Sequence, residues 1–142
     1  MFKIYMSRAM QGATIDEQNS NTDYIIKAVT NYVVDFNQSE KVKFFNPYEY
    51  YNYEYKNHIT EKEIFRYELE NVRNSSLIIY DEQGIKSIGA SMELAIAYEH
   101  RIPILVLNKD NKPVHPWIEH VSNRIFQNVD ELINFVIEYY LN

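Results

Sequence analysis

The fold is decided by the stretch "SLIIYDEQGIKSIGASMELAIAYEHRIPILVL", residues 76–107. Two short apolar runs, residues 76–80 and 102–107, flank a segment that is long enough for a helix. Neither run alternates apolar with polar residues, which is typical of strands that are covered on both faces. Strands that are joined through a helix form right-handed crossovers, so the stretch predicts a parallel sheet.

The rest of the chain repeats this alternation of strand and helix. Three more β-prone runs, "FKIYM" (2–6), "KVKFF" (41–45) and "NRIF" (123–126), complete the predicted sheet. We predict one domain over residues 1–142 of this 142-residue chain. Its expected fold class is α/β, a three-layer αβα sandwich around a five-stranded parallel sheet in the flavodoxin-like order 2-1-3-4-5.

Capping residues indicate where the helices begin. Thr22 or Asp23 is the expected N-cap of the first helix, because apolar residues follow at helical spacing. Thr60 has an acid three residues later, which is the capping-box pattern. Ser87 and Asn128 are the expected N-caps of two later helices.

The composition excludes several classes of partner. The net charge is −6 and no Lys/Arg cluster is visible, which argues against binding a nucleic-acid polymer or an anionic membrane. The N-terminal apolar run is too short for a signal peptide, and no apolar run is long enough to span a bilayer. We therefore expect a cytoplasmic protein. The chain has no cysteine, and we expect no metal site and no cofactor.

One acid stands out in the central helix. From Ile88 to Tyr98 every residue is apolar or small except Glu93. Burial on an apolar face disfavours the charged form of a carboxylate unless hydrogen bonds or cations restore it. Glu93 is therefore either neutralised by an arginine, such as Arg8 or Arg73, or functional.

The predicted strand order also indicates where a ligand would bind. In open parallel sheets, ligands bind beyond the carboxyl ends of the strands, near the switch point in strand order. This rule selects the loops at residues 7–14 and 81–89. The second loop ends at Ser87 and Gly89, where the first-turn N–H groups of a helix favour an anion. The simpler alternative is that Ser87 only caps the helix.

Three blocks of sequence carry a family resemblance. They are "KIYMSRAMQG" (3–12), "ELENVRNSSLIIYD" (68–81) and "SIGASMELAIAYEHRIPILVL" (87–107). In this order and spacing they resemble the nucleoside 2-deoxyribosyltransferase family. The resemblance is strongest to its hydrolase branch, the 2-deoxynucleoside 5-phosphate N-hydrolases and CMP N-glycosidases. The most specific block is the last, with its Ser-x-Gly-x-x-x-Glu-Leu pattern.

The resemblance implies roles for individual residues. Glu93 matches the carboxylate nucleophile that attacks the anomeric carbon of a nucleotide and displaces the base. Ser87 and Gly89 match the phosphate cradle. The first loop matches the segment that lines the sugar-phosphate site, here Ser7, Arg8, Gln11 and Gly12.

A second acid is required to help the base leave or to activate water. Glu68 matches the family's acidic position before strand 3, where Asp is usual, and Asp81 is the alternative. His115 matches a residue that the family supplies from a neighbouring subunit. The tyrosine-rich segment, residues 48–55, is either a packed, partly exposed connection or a lid, and in a lid Tyr48 is the preferred base contact. The other histidines are predicted surface residues: His58, His100 and His120.

The leading prediction is a nucleotide N-glycosidase that hydrolyses the base–sugar bond of a nucleoside or deoxynucleoside 5-monophosphate. A transferase that passes deoxyribose between bases is second, and cleavage of NAD is third. A non-catalytic module that binds a nucleotide is the alternative from another class. The expected partners are a small-molecule nucleotide and, by the resemblance, a second copy in a homodimer, with Trp117 and Tyr140 as candidate interface anchors.

Overall fold

The computed structural model describes residues 1–9, 15–37, 41–47 and 60–142, with backbone alone for residues 15–20. Three predicted site residues lie outside the described residues, namely Gln11, Gly12 and Tyr48. The tyrosine-rich segment and His58 also lie outside them, so the predictions made for them stay predictions.

The described sheet has five parallel strands. They are β1 (Phe2–Arg8), β2 (Val42–Phe45), β3 (Leu77–Asp81), β4 (Ile104–Leu107) and β5 (Arg124–Phe126). Their order is β2-β1-β3-β4-β5 and every neighbouring pair is parallel. The predicted α/β class and the order 2-1-3-4-5 are confirmed.

Helices connect the strands and cover both faces of the sheet. They are α1 (Ile15–Asp35), α2 (Glu61–Arg73), α3 (Ile88–Glu99), α4 (Pro116–Val121) and α5 (Val129–Phe135), which continues as a π-helical turn at Val136–Leu141. Within the residues that are described, none of these helices combines the length and the apolar character needed to cross a membrane.

Three of the predicted N-caps are confirmed, and one is wrong. The side chains of Thr60, Ser87 and Asn128 each accept a backbone N–H from the first turn of α2, α3 and α5. The first helix instead begins at Ile15, and Thr22 is buried inside it. Cap preference is a weak local signal, and a buried position inside a long helix overrides it.

Alternation along the strands sends successive side chains to two different cores. Ile4 and Met6 of β1 join Ile79 of β3 against α1 and α5. Tyr5 of β1 and Tyr80 of β3 face the other side, which α2, α3 and α4 cover. Because side chains alternate across a strand, the polar residues that end β1 and β3 also divide between the two faces.

Candidate active site

Glu93 projects from α3 toward β1 and is 7% exposed. Buried alanines, Ala90 and Ala97, line the same face of α3 and let the helix approach the sheet closely. The hydroxyl of Tyr5 donates to Oε2 of Glu93, and the hydroxyl of Ser7 donates to Oε1 at 2.9 Å. Each oxygen of this buried carboxylate therefore has a hydroxyl donor from β1.

Tyr5 is a site residue that the sequence analysis missed. Its ring is fully buried and stacks on Phe45 of β2, with ring centroids 5.1 Å apart and planes at 16°. Phe45 in turn contacts Tyr67 of α2, at 5.9 Å between centroids. The only signal in the sequence is that Tyr5 and Ser7 are two apart and so share one face of a strand.

The position of Glu93 raises its pKa to about 7. Burial is the largest cause, and the hydrogen bonds from Tyr5 and Ser7 and the charge of Arg8 oppose it in that order. Arg73 forms its ion pair with Glu70 on the surface, at 3.5 Å. The two hydroxyl donors thus stabilise ionised Glu93 more than the charge of Arg8 does. Neutralisation by an arginine was considered from the sequence, and the structure shows that hydrogen bonds have the larger effect.

Glu68 of α2 lies on the same side of the sheet. Its pKa is raised to about 8, first by burial, then by the charge of Glu93 and then by that of Glu61. Among the described residues, its Oε1 is buried without a hydrogen-bond partner. A carboxyl group with this pKa holds its proton at neutral pH, so Glu68 can donate a proton beside ionised Glu93.

Asp81 lies on the opposite face of the sheet, where it accepts hydrogen bonds from Asn21 Nδ2 at 3.2 and 3.3 Å. Burial raises its pKa to about 6, opposed by the Asn21 hydrogen bond and by the charge of Arg8. Arg8 stands opposite Asp81 in the strand register and is 2% exposed. Burial lowers the pKa of Arg8, while the charges of Asp81 and Asp23 oppose that shift.

The structure therefore brings Glu68, and not Asp81, to the face of the sheet that carries Glu93. Asp81 and Arg8 form a separate cluster with Asn21, a residue that sequence reasoning missed. The physical reason for the division is strand alternation, because Ser7 and Arg8 are consecutive residues and point to opposite faces. The sequence signal for this division is the alternation of side chains along β1, which places Ser7 and Arg8 on opposite faces of the sheet.

Ser87 and Gly89 lie where α3 begins, at the carboxyl edge of the sheet. The Ser87 hydroxyl accepts from the Ala90 N–H at 3.1 Å, which is an ordinary cap. Gly89 is exposed, and a Cβ added to it would meet no protein atom within 4 Å. Glycine inside a helix costs roughly 0.5–1 kcal/mol relative to alanine, and no described neighbour of Gly89 requires it.

His115 is the N-cap of α4, where its Nδ1 accepts from the Trp117 N–H at 3.1 Å. Its ring meets the Trp117 ring edge-on, with centroids 6.1 Å apart. The described contacts of His115 all lie within α4, so the chain alone does not bring it to Glu93. His100 and His120 are exposed, as predicted.

The two residues predicted as interface anchors differ in their exposure. Trp117 is 80% exposed, whereas Tyr140 packs against Phe2 and Phe135. Tyr139 is the exposed tyrosine of this turn. Over the described ranges, no three His, Asp or Glu side chains are grouped so that they could hold a metal ion.

Fold and site together define a class of α/β protein, with parallel strands in the order 2-1-3-4-5 and two acids, buried Glu93 and half-buried Glu68, on one face of the sheet. No protein-family model and no curated protein matches the sequence.

Solved structures with the same fold do match. A conserved protein from Enterococcus faecalis is similar with a TM-score of 0.72 and 17% identity, over 94% of this chain and 96% of that one. A 2-deoxyribosyltransferase from Bacillus psychrosaccharolyticus has a TM-score of 0.66 and 12% identity, over 93% of this chain and 90% of that one. A CMP N-glycosidase from Clostridium botulinum has a TM-score of 0.59 and 12% identity, over 96% of this chain and 98% of that one. The chain shares the fold of these proteins.

Proposed function

We propose that this chain is a cytoplasmic nucleotide N-glycosidase, a member of the nucleoside 2-deoxyribosyltransferase family, and that it hydrolyses the base–sugar bond of a nucleoside or deoxynucleoside 5-monophosphate. The observation that carries the proposal is that buried Glu93 and half-buried Glu68 share one face of the sheet, with pKa values raised to about 7 and about 8. Such a pair supplies a carboxylate nucleophile and a proton donor at the same pH.

The reaction proceeds in two steps. The Glu93 carboxylate attacks the anomeric carbon, the bond from that carbon to the base nitrogen breaks, and the Glu68 carboxyl group protonates the departing base. Water then attacks the anomeric carbon of the glycosyl ester, Glu68 takes the proton from that water, and Glu93 leaves as a carboxylate. Both acids return to their starting states, so the cycle is balanced.

The hydroxyls of Tyr5 and Ser7 support the role of Glu93. Both are neutral donors, so they orient the carboxylate without adding a counter-charge that would make it less nucleophilic. The stack of Tyr5 on Phe45 restricts the ring that carries one of these donors. A nucleophile held in this way needs little reorganisation when it attacks.

The start of α3 supports a phosphorylated substrate. First-turn N–H groups of a helix favour an anion, and Gly89 leaves the surface beside Ser87 open to close approach. The structural similarity to a CMP N-glycosidase agrees with a nucleoside monophosphate as substrate. We assign the 5-phosphate to Ser87 and Gly89.

The test is chromatography of the bases released from ribo- and deoxyribonucleoside 5-monophosphates, the matching nucleosides and NAD, with the Glu93→Gln variant alongside. Release from monophosphates that is absent in the variant supports the proposal. Release from NAD alone, or from no compound with wild-type protein, contradicts it. Equal release by the Glu93→Gln variant would remove Glu93 from the mechanism.

A second candidate is deoxyribosyl transfer, because the similar structures include a 2-deoxyribosyltransferase. The two reactions differ in what intercepts the glycosyl-enzyme, water or a second base. Adding an acceptor base to the same assay separates them. A new nucleoside containing the acceptor favours transfer, and free base with no exchange favours hydrolysis.

A non-catalytic binding role makes a different prediction. If the chain only binds a nucleotide, wild type and Glu93→Gln will bind it with similar affinity and neither will release base. Isothermal titration with a monophosphate that shows no turnover tests this alternative. The carboxylate pair argues against it, because a phosphate binder gains nothing from two acids near an anion.

We also propose a homodimer formed through the outer face of α3. Ile88 and Met92 lie on that face at 83% and 41% exposure, and no exposed residue from Ile88 to Tyr98 is charged. A helix that is apolar on all sides is normally covered on all sides. Light scattering tests the proposal: wild type should be dimeric and Met92→Lys monomeric, whereas a monomeric wild type contradicts it.

A further inference from the structure

The loop between β3 and α3, residues 82–87, connects the sheet to the helix that carries Glu93. Its first residue, Glu82, donates its backbone N–H to the Leu107 carbonyl at 2.9 Å. The Glu82 carboxylate accepts from the Gly84 N–H at 2.9 Å. Gly84 has a φ of 73°, in the left-handed region that favours glycine. The loop is therefore a turn of defined shape.

Lys112 reaches this turn from the next loop, between β4 and α4. Its Nζ donates to the Gln83 carbonyl at 2.9 Å. Its aliphatic chain lies against Gly84, because a Cβ added to Gly84 would overlap Lys112 Cδ. Gly84 thus provides both the backbone angle of the turn and the space in which the lysine lies.

The sheet fixes the backbone of Lys112. The buried side chain of Asn108 donates to the Lys112 carbonyl at 2.8 Å and accepts from its N–H at 2.9 Å. Asn108 itself donates its backbone N–H to the Phe126 carbonyl of β5 at 2.7 Å. Asn108, directly after β4, thus links the Lys112 backbone to β5 and fixes the point from which the lysine side chain extends.

We infer that Lys112 is a positioning residue, which holds the 82–87 loop so that Ser87 and Gly89 present the start of α3 to substrate. The kinetic consequence rests on the proposed function. Glu93 is held separately, through its hydrogen bonds to Tyr5 and Ser7. Loss of Lys112 should therefore weaken substrate binding while the bond-breaking step continues.

The first experiment measures kcat and KM of a hydrolysed 5-monophosphate for Lys112→Met, which keeps the aliphatic chain and removes the ammonium group. We expect KM to rise about tenfold, the effect of one lost hydrogen bond from a charged donor, with kcat within about twofold of wild type. Lys112→Arg restores a cationic donor and should bring KM back to within about threefold.

Lys109→Met is the matched control, because Lys109 is an exposed lysine in the same loop and its replacement changes the net charge equally. It should leave KM unchanged. An unchanged KM in Lys112→Met, or an equal rise in Lys109→Met, overturns the inference. So does a fall in kcat without a rise in KM.

Hydrogen–deuterium exchange gives a readout that does not depend on turnover. The amides of the peptide containing residues 82–90 should exchange faster in Lys112→Met than in wild type or Lys109→Met, with α5 unaffected. If wild type releases no base, the proposed function fails, and this exchange measurement decides the inference alone. Equal exchange in all three proteins overturns it.

Discussion

Two polar clusters lie at the carboxyl edge of the same sheet, on opposite faces, and they treat a buried acid differently. In the first, Glu93 accepts from the hydroxyls of Tyr5 and Ser7. In the second, Asp81 accepts from the Asn21 amide and stands opposite Arg8. Burial raises the pKa of both acids, but the hydrogen bonds to Glu93 oppose that shift more than the Arg8 charge does, whereas Asp81 is beside Arg8 in the strand register.

The comparison explains how a single short strand can serve two purposes. Ser7 and Arg8 are consecutive in β1, and the pleat sends one to each face. Each cluster is therefore anchored by the same piece of backbone. We expect substitutions in the first cluster to reduce activity, and substitutions in the second to change stability while activity stays nearly intact.

Glu93→Gln should produce the largest effect on activity, because it removes the proposed nucleophile while keeping the shape of the side chain. Base release should fall by at least about 10³-fold. The folded protein binds a proton at Glu93 with a pKa of about 7, above the ordinary 4.5, so wild type loses stability as pH rises from 4.5 through 7. The variant should therefore be the more stable protein at pH 8 in chemical denaturation.

That gain in stability is also the control for folding. An inactive Glu93→Gln protein that is less stable than wild type at pH 8 would contradict the burial argument. Full activity in the Glu93→Gln variant would contradict the expectation that the Glu93 cluster is the catalytic one of the two.

Glu68→Gln should lower kcat by about 10²-fold, the usual contribution of a general acid. With Glu93 ionising near 7 and Glu68 near 8, wild-type activity should rise through pH 7 and fall above pH 8. The variant should lose the alkaline fall and keep the acid limb. Measuring kcat over a pH series gives both limbs. If the Glu68→Gln profile has the same shape as the wild-type profile, a group other than Glu68 is the proton donor.

Asp81→Asn sharpens the contrast, because it should act on stability and leave catalysis nearly intact. Burial raises the pKa of Asp81 to about 6, above the ordinary 3.8, even with the Arg8 charge nearby, so ionised Asp81 costs stability at pH 7. The neutral Asn should therefore raise the free energy of unfolding at pH 7 by about 1–3 kcal/mol. Urea denaturation at pH 7 measures this gain, and a loss of stability would contradict the burial argument. A drop in kcat larger than that of Glu68→Gln would instead return Asp81 to the catalytic role considered from the sequence.

Tyr5→Phe should have the smallest of these effects, and the most specific. It removes one hydrogen bond to ionised Glu93 and keeps the stack on Phe45, so the Glu93 pKa should rise. The acid limb of the activity profile should move to higher pH by about one unit, the equivalent of about 1.4 kcal/mol. Ser7→Ala is the companion variant and should move it in the same direction.

Several elements of the site were predictable because they depend on local rules. Ser87 was recognisable as an N-cap from its hydroxyl and its place before a helical run. Glu93 stood out because a lone acid in an apolar helix is costly unless it has partners. The parallel direction of the strands followed from repeated crossovers between buried strands, and the order 2-1-3-4-5 was chosen as a common order for such sheets.

Other elements were not predictable from the chain, because their partners are far apart in sequence. Tyr5 looks like any aromatic residue of a buried strand until α3 packs its acid against β1. Glu68 was the matched candidate and Asp81 the alternative until packing placed them on different faces. Lys112 gave no signal, because its acceptor, the Gln83 carbonyl, belongs to another loop.

The sequence by itself determined the alternation of strands and helices, three of the helix starts and the acid at position 93, since each depends on residues that are near one another in the chain. Only the tertiary structure decided which hydroxyls contact Glu93, which second acid accompanies it and which acid lies opposite Arg8. The reason is geometric. Strand alternation and helix packing bring together side chains that are far apart in the sequence, and a local sequence pattern does not show which side chains will meet.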